Sequence, residues 1–119
     1  MSKTDLDTLK LRLREFADQR DWNQFHSPKN LCMALGVEVS ELTEHFQWLT
    51  EEQSKNLPAE KLEEVATELA DTFLYLVRLA DKLEVDLLTA ARDKIELNEQ
   101  KYPVDKSRGN AKKYTEFGS

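Results

Sequence analysis

The chain has few of the residues that interrupt helices or cross-link a fold: its 119 residues include three Gly, three Pro and one Cys. Gly and Pro are the residues least compatible with helix interiors. Their scarcity, together with 34% charged residues, therefore predicts long helices with solvated faces. One Cys excludes an internal disulfide, and Cys32 cannot build a cysteine-based zinc site by itself. We expect Cys32 to be a small buried apolar residue.

Glycine-rich loops and long apolar runs are missing as well. A P-loop site needs a glycine-rich turn around its ligand, so that class of protein is excluded. No segment approaches the roughly 18 apolar residues of a membrane span. Residues 1–16 alternate charge with Leu instead of forming a signal-peptide core. We therefore expect a cytoplasmic protein with no membrane partner.

The charge of the chain is negative and unevenly distributed. A formal net charge of −6 argues against binding to a nucleic-acid polymer, which requires a basic surface. We interpret residues 1–103 as one helical domain and residues 104–119 as a basic C-terminal tail. The cations of the tail are Lys106, Arg108, Lys112 and Lys113. An acidic body with a basic tail suits a metal ion and a small anionic ligand better than a polymer.

Apolar residues spaced three and four positions apart predict four helices. Their approximate bounds are 4–20, 28–49, 58–83 and 86–101. Thr4 and Asp86 are suitable N-caps, and Ser27 followed by Pro28 is typical of a cap with Pro at the first helical position. Pro103 ends the last helix.

The third predicted helix is the most apolar part of the chain. Within residues 69–80 the strongly polar side chains are Asp71, Thr72 and Arg78, so apolar positions surround nearly the whole helix. Such a helix requires burial on more than one side. In so short a chain we expect a second subunit to supply that cover. The predicted fold class is all-α, a bundle of about four helices completed by homo-oligomerisation as a homodimer or homotetramer.

Carboxylates interrupt the apolar pattern at two places. Glu38 lies inside the apolar stripe of the second helix, with Glu41 and His45 at its margin. Glu68 and Asp71 repeat the spacing of three residues on the third helix, and residues three apart share one side of a helix. The stripe itself consists of Leu35, Val39, Leu42, Phe46 and Leu49.

Helix packing that gathers these four carboxylates would make them repel one another unless protons or cations neutralise them. Oxygen ligands favour hard cations, and Mg²⁺ is the one that also binds phosphate oxygens. A di-iron site uses Glu-x-x-His pairs, and neither His26 nor His45 follows a carboxylate by three residues, so iron is disfavoured. Each acidic pair taken alone is also compatible with a solvated helix surface. A helical interaction protein without a metal therefore stays open at this point.

Further motifs accompany the acidic pairs. They are "RDWNQFHSPKNL", "EHFQW", "FLYLVRLA", "NEQKYPV" and "SRGNAKKYT". With these motifs the sequence resembles the all-α, MazG-like nucleoside triphosphate pyrophosphohydrolases, and within them the dCTP pyrophosphatase branch. The resemblance covers roughly residues 8–115. The family often has Gly between its first two acids, where this chain has Ser40.

The resemblance implies a helical bundle that assembles as a dimer or a dimer of dimers. It also implies hydrolysis of a nucleoside triphosphate between the α and β phosphates with Mg²⁺, in the service of nucleotide-pool house-cleaning. The expected substrate is dCTP or a modified dCTP. Carried over by position, the implied metal ligands are Glu38, Glu41, Glu68 and Asp71. The implied substrate contacts are Trp22, His26, Trp48 and Tyr75 for the base and sugar, with Lys94 and Asn98 on the last helix.

The residues themselves support these assignments to different degrees. Trp22 and Phe25 lie in a polar connector, where aromatic side chains either stack on a base or fold back onto the core. Trp48 is expected on the same side of the second helix as Glu41, next to the metal site. We also expect Arg108 of the basic tail to contact phosphates.

The expected mechanism is metal-assisted hydrolysis, in which Glu38 or Glu41 orients or deprotonates the attacking water. The chain has no Ser or Cys in a recognisable nucleophile setting, so we do not expect a covalent intermediate. The alternative is a nucleotide-binding or sensor module that has the same fold and does not hydrolyse its ligand.

Overall fold

The computed structural model describes residues 5–117, and within that range the chain is helical and contains no strand. The α-helices are α1 (Asp5–Gln19), α2 (Pro28–Glu44), α3 (Glu51–Lys55), α4 (Ala59–Lys82), α5 (Leu87–Lys101) and α6 (Val104–Ser107). Two 3₁₀ turns span Asn23–Phe25 and Tyr114–Glu116. The predicted all-α class is confirmed. The four expected helices are present, and the short helices α3 and α6 are additions that the apolar spacing did not predict.

The chain divides into two compact units, Met1–Val85 and Asp86–Ser119. In the first unit, α4 is the central element, because both α2 and α1 pack against it. The buried apolar residues of this unit come from these three helices: Ala17, Leu31, Val65, Val77 and Ala80. Leu31 has 1% of its surface exposed and is the largest fully buried side chain among the described residues.

The predicted helix starts are set by local hydrogen bonds. The Ser27 hydroxyl accepts a hydrogen bond from the Asn30 N–H (3.1 Å), and Pro28 occupies the first turn of α2. The Asp86 carboxylate accepts from the Thr89 N–H (3.1 Å) and caps α5. Both predicted caps are therefore confirmed. The predicted Thr4 cap lies outside the described residues.

The second helix is shorter than predicted, since α2 ends at Glu44 instead of residue 49. After Glu44 the backbone forms i→i+3 turns, in which the His45 N–H donates to the Leu42 carbonyl (3.2 Å) and the Phe46 N–H donates to the Thr43 carbonyl (2.9 Å). A capping box then begins α3. The Thr50 hydroxyl accepts from the Gln53 N–H (3.1 Å), and Gln53 Oε1 accepts from the Thr50 N–H (2.9 Å). This reciprocal pair requires an extended Thr50 backbone (φ −74°, ψ 164°), so the preceding helix has to end before it.

Several apolar side chains of the first unit are exposed. On α4, Leu69 is 52% and Phe73 42% exposed, and on α2 Val39 is 44% exposed although the stripe placed it in the core. Cys32 is also exposed, which makes its predicted burial wrong. Its neighbour Leu31 is the residue that faces the core, and adjacent residues on a helix point about 100° apart.

In the second unit, the predicted tail has structure of its own. Tyr102, which follows α5, makes edge-to-face contacts with Tyr114 (centroids 6.1 Å apart) and Phe117 (5.8 Å). Lys101 Nζ lies 4.8 Å from the Tyr114 ring centroid. Hydrophobic and cation–π contacts therefore order the segment after Pro103.

For the part of the chain that the structure describes, no helix has the length and apolar character needed to cross a membrane.

Candidate functional site

Three carboxylates from two helices meet at the surface where α2 packs against α4. Glu38 and Glu41 are three residues apart on α2, and Glu68 lies on α4. One carboxylate oxygen of each residue lies within 4.8 Å of the corresponding oxygens of the other two. Glu38 and Glu68 are half-buried and Glu41 is exposed. We call these three residues the acidic cluster.

The acidic cluster is electrostatically unfavourable without a cation or an extra proton. Hydrogen bonding of its protonated form to Glu41, then burial, then the nearby Glu38, raises the pKa of Glu68 from 4.5 to about 7. Glu38 Oε2 and Glu68 Oε2 are hidden from solvent and have no hydrogen-bond partner within residues 5–117. Hidden carboxylate oxygens without partners are costly, and a bound cation would satisfy both.

The donor set fits a hard divalent cation. All three side chains offer oxygen, which Mg²⁺, Ca²⁺ and Mn²⁺ prefer, and the set contains no thiolate or imidazole. Ligands on opposite sides of one such cation lie about 4–5 Å apart, which matches the spacing of the acidic cluster. The cluster therefore suits a cation that also binds phosphate oxygens.

Asp71, the fourth expected ligand, lies outside the acidic cluster. It is exposed, one turn after Glu68 on α4, and lines a neighbouring cavity. The structure thus brings three of the four expected carboxylates together and places the fourth in the wall of a neighbouring cavity of the same unit.

The cavity lies between α1, α2, α4 and the α1–α2 connector and has a volume of about 210 Å³. Most of its wall is aromatic or aliphatic, and its ionisable polar groups include those of His26, Asp71 and Arg78. The lining residues are Leu13, Phe16, Trp22, His26, Leu31, Asp71, Leu74, Tyr75 and Arg78. Apolar walls with a few polar groups are typical of small-molecule pockets. Three of the residues expected to contact the base and sugar, Trp22, His26 and Tyr75, therefore lie in one cavity.

Trp22 is held in place by two aromatic neighbours. Its ring meets the Phe16 ring edge-on at 5.6 Å between centroids and the His26 ring at 6.2 Å. Trp22 is nevertheless 43% exposed, so it packs on the core and also presents surface to the cavity. Phe25, the other aromatic residue of the connector, is 59% exposed and is not part of the cavity wall.

Arg78 lies in the cavity wall, where it forms hydrogen bonds to the connector before α2. The sequence did not predict it as a site residue. Arg78 is 6% exposed, and its Nε donates to His26 Nδ1 (3.3 Å) while its Nη2 donates to Asn23 Oδ1 (2.5 Å). Asp81 balances its charge at 3.7 Å. Burial, then the positive charges of Arg78 and Lys82, lowers the pKa of His26. The signal in the sequence was an Arg inside the most apolar helix, where a charge requires partners.

The remaining expected substrate contacts lie elsewhere in the chain. Trp48 is 86% exposed in the turn after α2, so the helical spacing that placed it beside Glu41 does not apply. Lys94 and Asn98 are exposed on α5 in the second unit, and Arg108 follows α6 there. The acidic cluster and the cavity belong to the first unit.

Comparison with known proteins identifies the family. A model of the MazG-like family matches residues 33–117, which is more than two thirds of the chain. The chain belongs to the MazG-like family. The match includes the whole acidic cluster and the Asp71, Tyr75 and Arg78 positions of the cavity.

The chain is also similar to curated relatives that share one name. The chain is 48% identical to dCTP pyrophosphatase 1 of Mus musculus over 105 residues, which are 87% of this chain and 62% of that protein. It is 44% identical to dCTP pyrophosphatase 1 of Bos taurus over 118 residues, 98% of this chain and 70% of that protein. The chain thus spans somewhat less than two thirds of the length of the mouse relative.

A solved structure has the same fold. A pyrophosphatase from Archaeoglobus fulgidus superposes with a TM-score of 0.81 at 38% sequence identity. The similarity covers 87% of this chain and 96% of that one. The helical arrangement is therefore one that a solved pyrophosphatase chain also adopts.

Proposed function

We propose that this chain is a metal-dependent nucleoside triphosphate pyrophosphohydrolase that cleaves between the α and β phosphates, with dCTP or a modified dCTP as substrate. The observation that carries the proposal is the arrangement on α4. Glu68 completes the acidic cluster, and Asp71, Tyr75 and Arg78 of the same helix line an aromatic cavity. A cation site for phosphates and an apolar pocket for a base thus lie along one rigid helix. The names of the relatives supply the choice of substrate.

The acidic cluster supplies the expected ligands for Mg²⁺, and its two hidden, unpartnered oxygens are the reason to expect a bound cation. When bound, Mg²⁺ supplies charge neutralisation and Lewis acidity for attack on a phosphate. Glu38 and Glu41 hold the ion from α2, Glu68 holds it from α4, and Asp71 is the proposed fourth ligand. Either Glu38 or Glu41 also orients the attacking water and accepts its proton.

The cavity residues bind the nucleoside part of the substrate. Trp22 and Tyr75 offer ring surfaces for contact with the base, and stacking of this kind contributes about 1–3 kcal/mol per base. His26 adds a polar contact at the cavity wall. Trp48, Lys94, Asn98 and Arg108 are proposed to contact substrate in an assembled homo-oligomer, a dimer or a tetramer.

Pyrophosphate release from each dNTP and NTP, with Mg²⁺ or with EDTA, tests this function. Wild type is compared with Glu38→Gln, and Glu63→Gln on the exposed surface of α4 is the matched control. We expect release to require Mg²⁺, to favour dCTP, to survive in the control and to fall by about a hundredfold or more in Glu38→Gln.

Other outcomes would redirect the proposal. Preference for another base keeps the reaction and rejects the substrate. Nucleotide binding by folded protein without any release of pyrophosphate rejects hydrolysis and favours the sensor module. Such binding is detected as a rise in melting temperature, because a ligand of the native state stabilises it by mass action.

A further inference from the structure

We propose that Arg78 is a positioning residue that sets the tautomer of His26, so that His26 presents its Nε2–H as a hydrogen-bond donor in the cavity. The starting observation is one hydrogen bond, from Arg78 Nε to His26 Nδ1 at 3.3 Å. It joins the C-terminal part of α4 to the connector before α2, over 52 residues of sequence.

The chemistry of guanidinium settles which imidazole nitrogen carries the proton. Arg has five N–H donors and no acceptor, and it stays protonated in proteins. The His26 nitrogen that faces it must therefore offer a lone pair, which leaves Nδ1 unprotonated. A neutral imidazole with a bare Nδ1 carries its proton on Nε2. Doubly protonated His26 would place an N–H against an N–H.

Arg78 is held firmly enough to impose this choice. Its side chain is 7% exposed, its Nη2 donates to Asn23 Oδ1 (2.5 Å), and Asp81 lies 3.7 Å from its Nη1. Asp81 is itself held by Arg14 of α1. Asn23 also donates a short hydrogen bond to the Asp18 carboxylate. The guanidinium is thus fixed from α1, α4 and the connector, and it cannot rotate without losing several charge-assisted bonds.

The opposite side of the imidazole is available to a ligand. His26 lines the cavity, and its Nε2 has no hydrogen-bond partner among the described residues. An Nε2–H donor binds a hydrogen-bond acceptor, such as a ring carbonyl oxygen. It does not recognise an N–H group. The consequence for nucleotide binding rests on the proposed function, whereas the tautomer itself is a property of the free protein.

Nitrogen-15 NMR of the histidine side chains tests the tautomer directly, in protein without nucleotide at neutral pH. Two-bond proton–nitrogen correlations distinguish Nε2–H from Nδ1–H, and His45 is an internal reference. Arg78→Lys keeps the positive charge and removes the planar Nε–H. Lys82→Met, on the same helix, removes a positive charge and keeps the Arg78–His26 bond. Circular dichroism and thermal unfolding establish that each variant is folded.

We expect wild type and Lys82→Met to give the single Nε2–H pattern for His26, and Arg78→Lys to lose it to a mixture of tautomers. An Nδ1–H pattern or a doubly protonated ring in wild type would overturn the proposal. An unchanged pattern in folded Arg78→Lys would do so as well. If the Lys variant fails to fold, the wild-type spectrum alone still decides whether the Nε2–H tautomer is present.

Kinetics then tests what the donor does. With pyrophosphate release as the assay, we expect Arg78→Lys to raise the KM for the preferred nucleotide about tenfold, the loss of about one hydrogen bond, with a smaller change in kcat. An unchanged KM despite an altered tautomer would reject the binding role. If wild type releases no pyrophosphate, the proposed function is rejected. The NMR experiment still tests the His26 tautomer, because it is carried out without nucleotide.

Discussion

Arg14 of α1 donates two hydrogen bonds to the Asp81 carboxylate of α4, from Nε to Oδ2 (2.7 Å) and from Nη2 to Oδ1 (2.6 Å). The Asp81 side chain is 8% exposed, whereas Arg14 is 49% exposed. The pair joins α1 to α4 close to Arg78, so it supports the cavity as well as the packing of the first unit.

Loss of this ion pair should lower stability. We expect Arg14→Gln to reduce the free energy of unfolding by about 1–2 kcal/mol, because a hydrogen-bonded and largely buried carboxylate loses its main partner while Arg14 itself is half in solvent. Urea denaturation at pH 7 measures the effect. Arg12→Gln, an exposed position on the same helix, is the control and should change stability by less than about 0.5 kcal/mol. Equal effects in both variants would contradict the role of the pair.

The same pair predicts a pH dependence. Hydrogen bonding to Arg14 lowers the pKa of Asp81 below its usual 3.8. The contribution to stability is therefore fully present above the unfolded pKa and is lost as the pH falls through the folded pKa. We expect the stability difference between wild type and Arg14→Gln to be constant above about pH 5 and to shrink below about pH 4. A difference that grows on acidification would contradict this assignment.

The raised pKa of Glu68 predicts the opposite pH dependence of stability in metal-free protein. Its folded pKa is raised to about 7, so the folded state prefers the protonated form. Stability should fall as the pH rises from about 4.5 to about 7 and level off above that. Chemical denaturation in EDTA should find Glu68→Gln equal to wild type near pH 4.5 and more stable at pH 8. The control Glu63→Gln should follow wild type at both pH values.

Magnesium should make wild type more stable than Glu68→Gln at pH 8, the reverse of the order expected in EDTA. Wild type keeps three carboxylate ligands and gains stability from the bound ion, whereas Glu68→Gln lacks one ligand and gains less. Thermal unfolding over a series of Mg²⁺ concentrations measures both curves. Equal shifts for wild type and Glu68→Gln would mean that the ion binds away from the acidic cluster.

Truncation of Leu31 should give the largest loss of stability among the buried apolar residues. Leu31 is 1% exposed and lies where α2 meets the rest of the first unit. We expect Leu31→Ala to cost about 2–5 kcal/mol, since removal of buried methyl groups leaves a cavity. The neighbouring exposed Cys32→Ala is a matched control on the same helix and should be nearly neutral. Denaturation of the two variants side by side separates burial from helix propensity.

The exposed apolar side chains of α4 predict self-association. Leu69 is 52% exposed and Phe73 42%, one helical turn apart on the central helix. We expect Leu69→Lys to weaken a homo-oligomer by at least about tenfold in dissociation constant, because a charge would enter an apolar contact. Sedimentation velocity measures it, with Glu63→Lys as the control on α4. A monomeric wild type would reject the proposed assembly.

Local signals in the sequence were sufficient for the helices and their caps. Apolar spacing located the four main helices, and Ser27 and Asp86 marked two of the starts, because capping depends on residues within one turn. The capping box of Thr50 and Gln53 was equally local and would have located the start of α3, but not the end of α2 at Glu44. Trp48 was misplaced because helical spacing was extended past that end.

The helical class, the acidic pairs and the family of the chain could all be predicted from the sequence, since all three depend on short-range spacing and motif order. Tertiary packing was needed to establish that Glu68 joins Glu38 and Glu41 while Asp71 lies at the cavity. It also decided that Cys32 is exposed and that Arg78 reaches His26 across 52 residues. These outcomes depend on how the helices are rotated and placed against each other, and long-range packing sets that rotation.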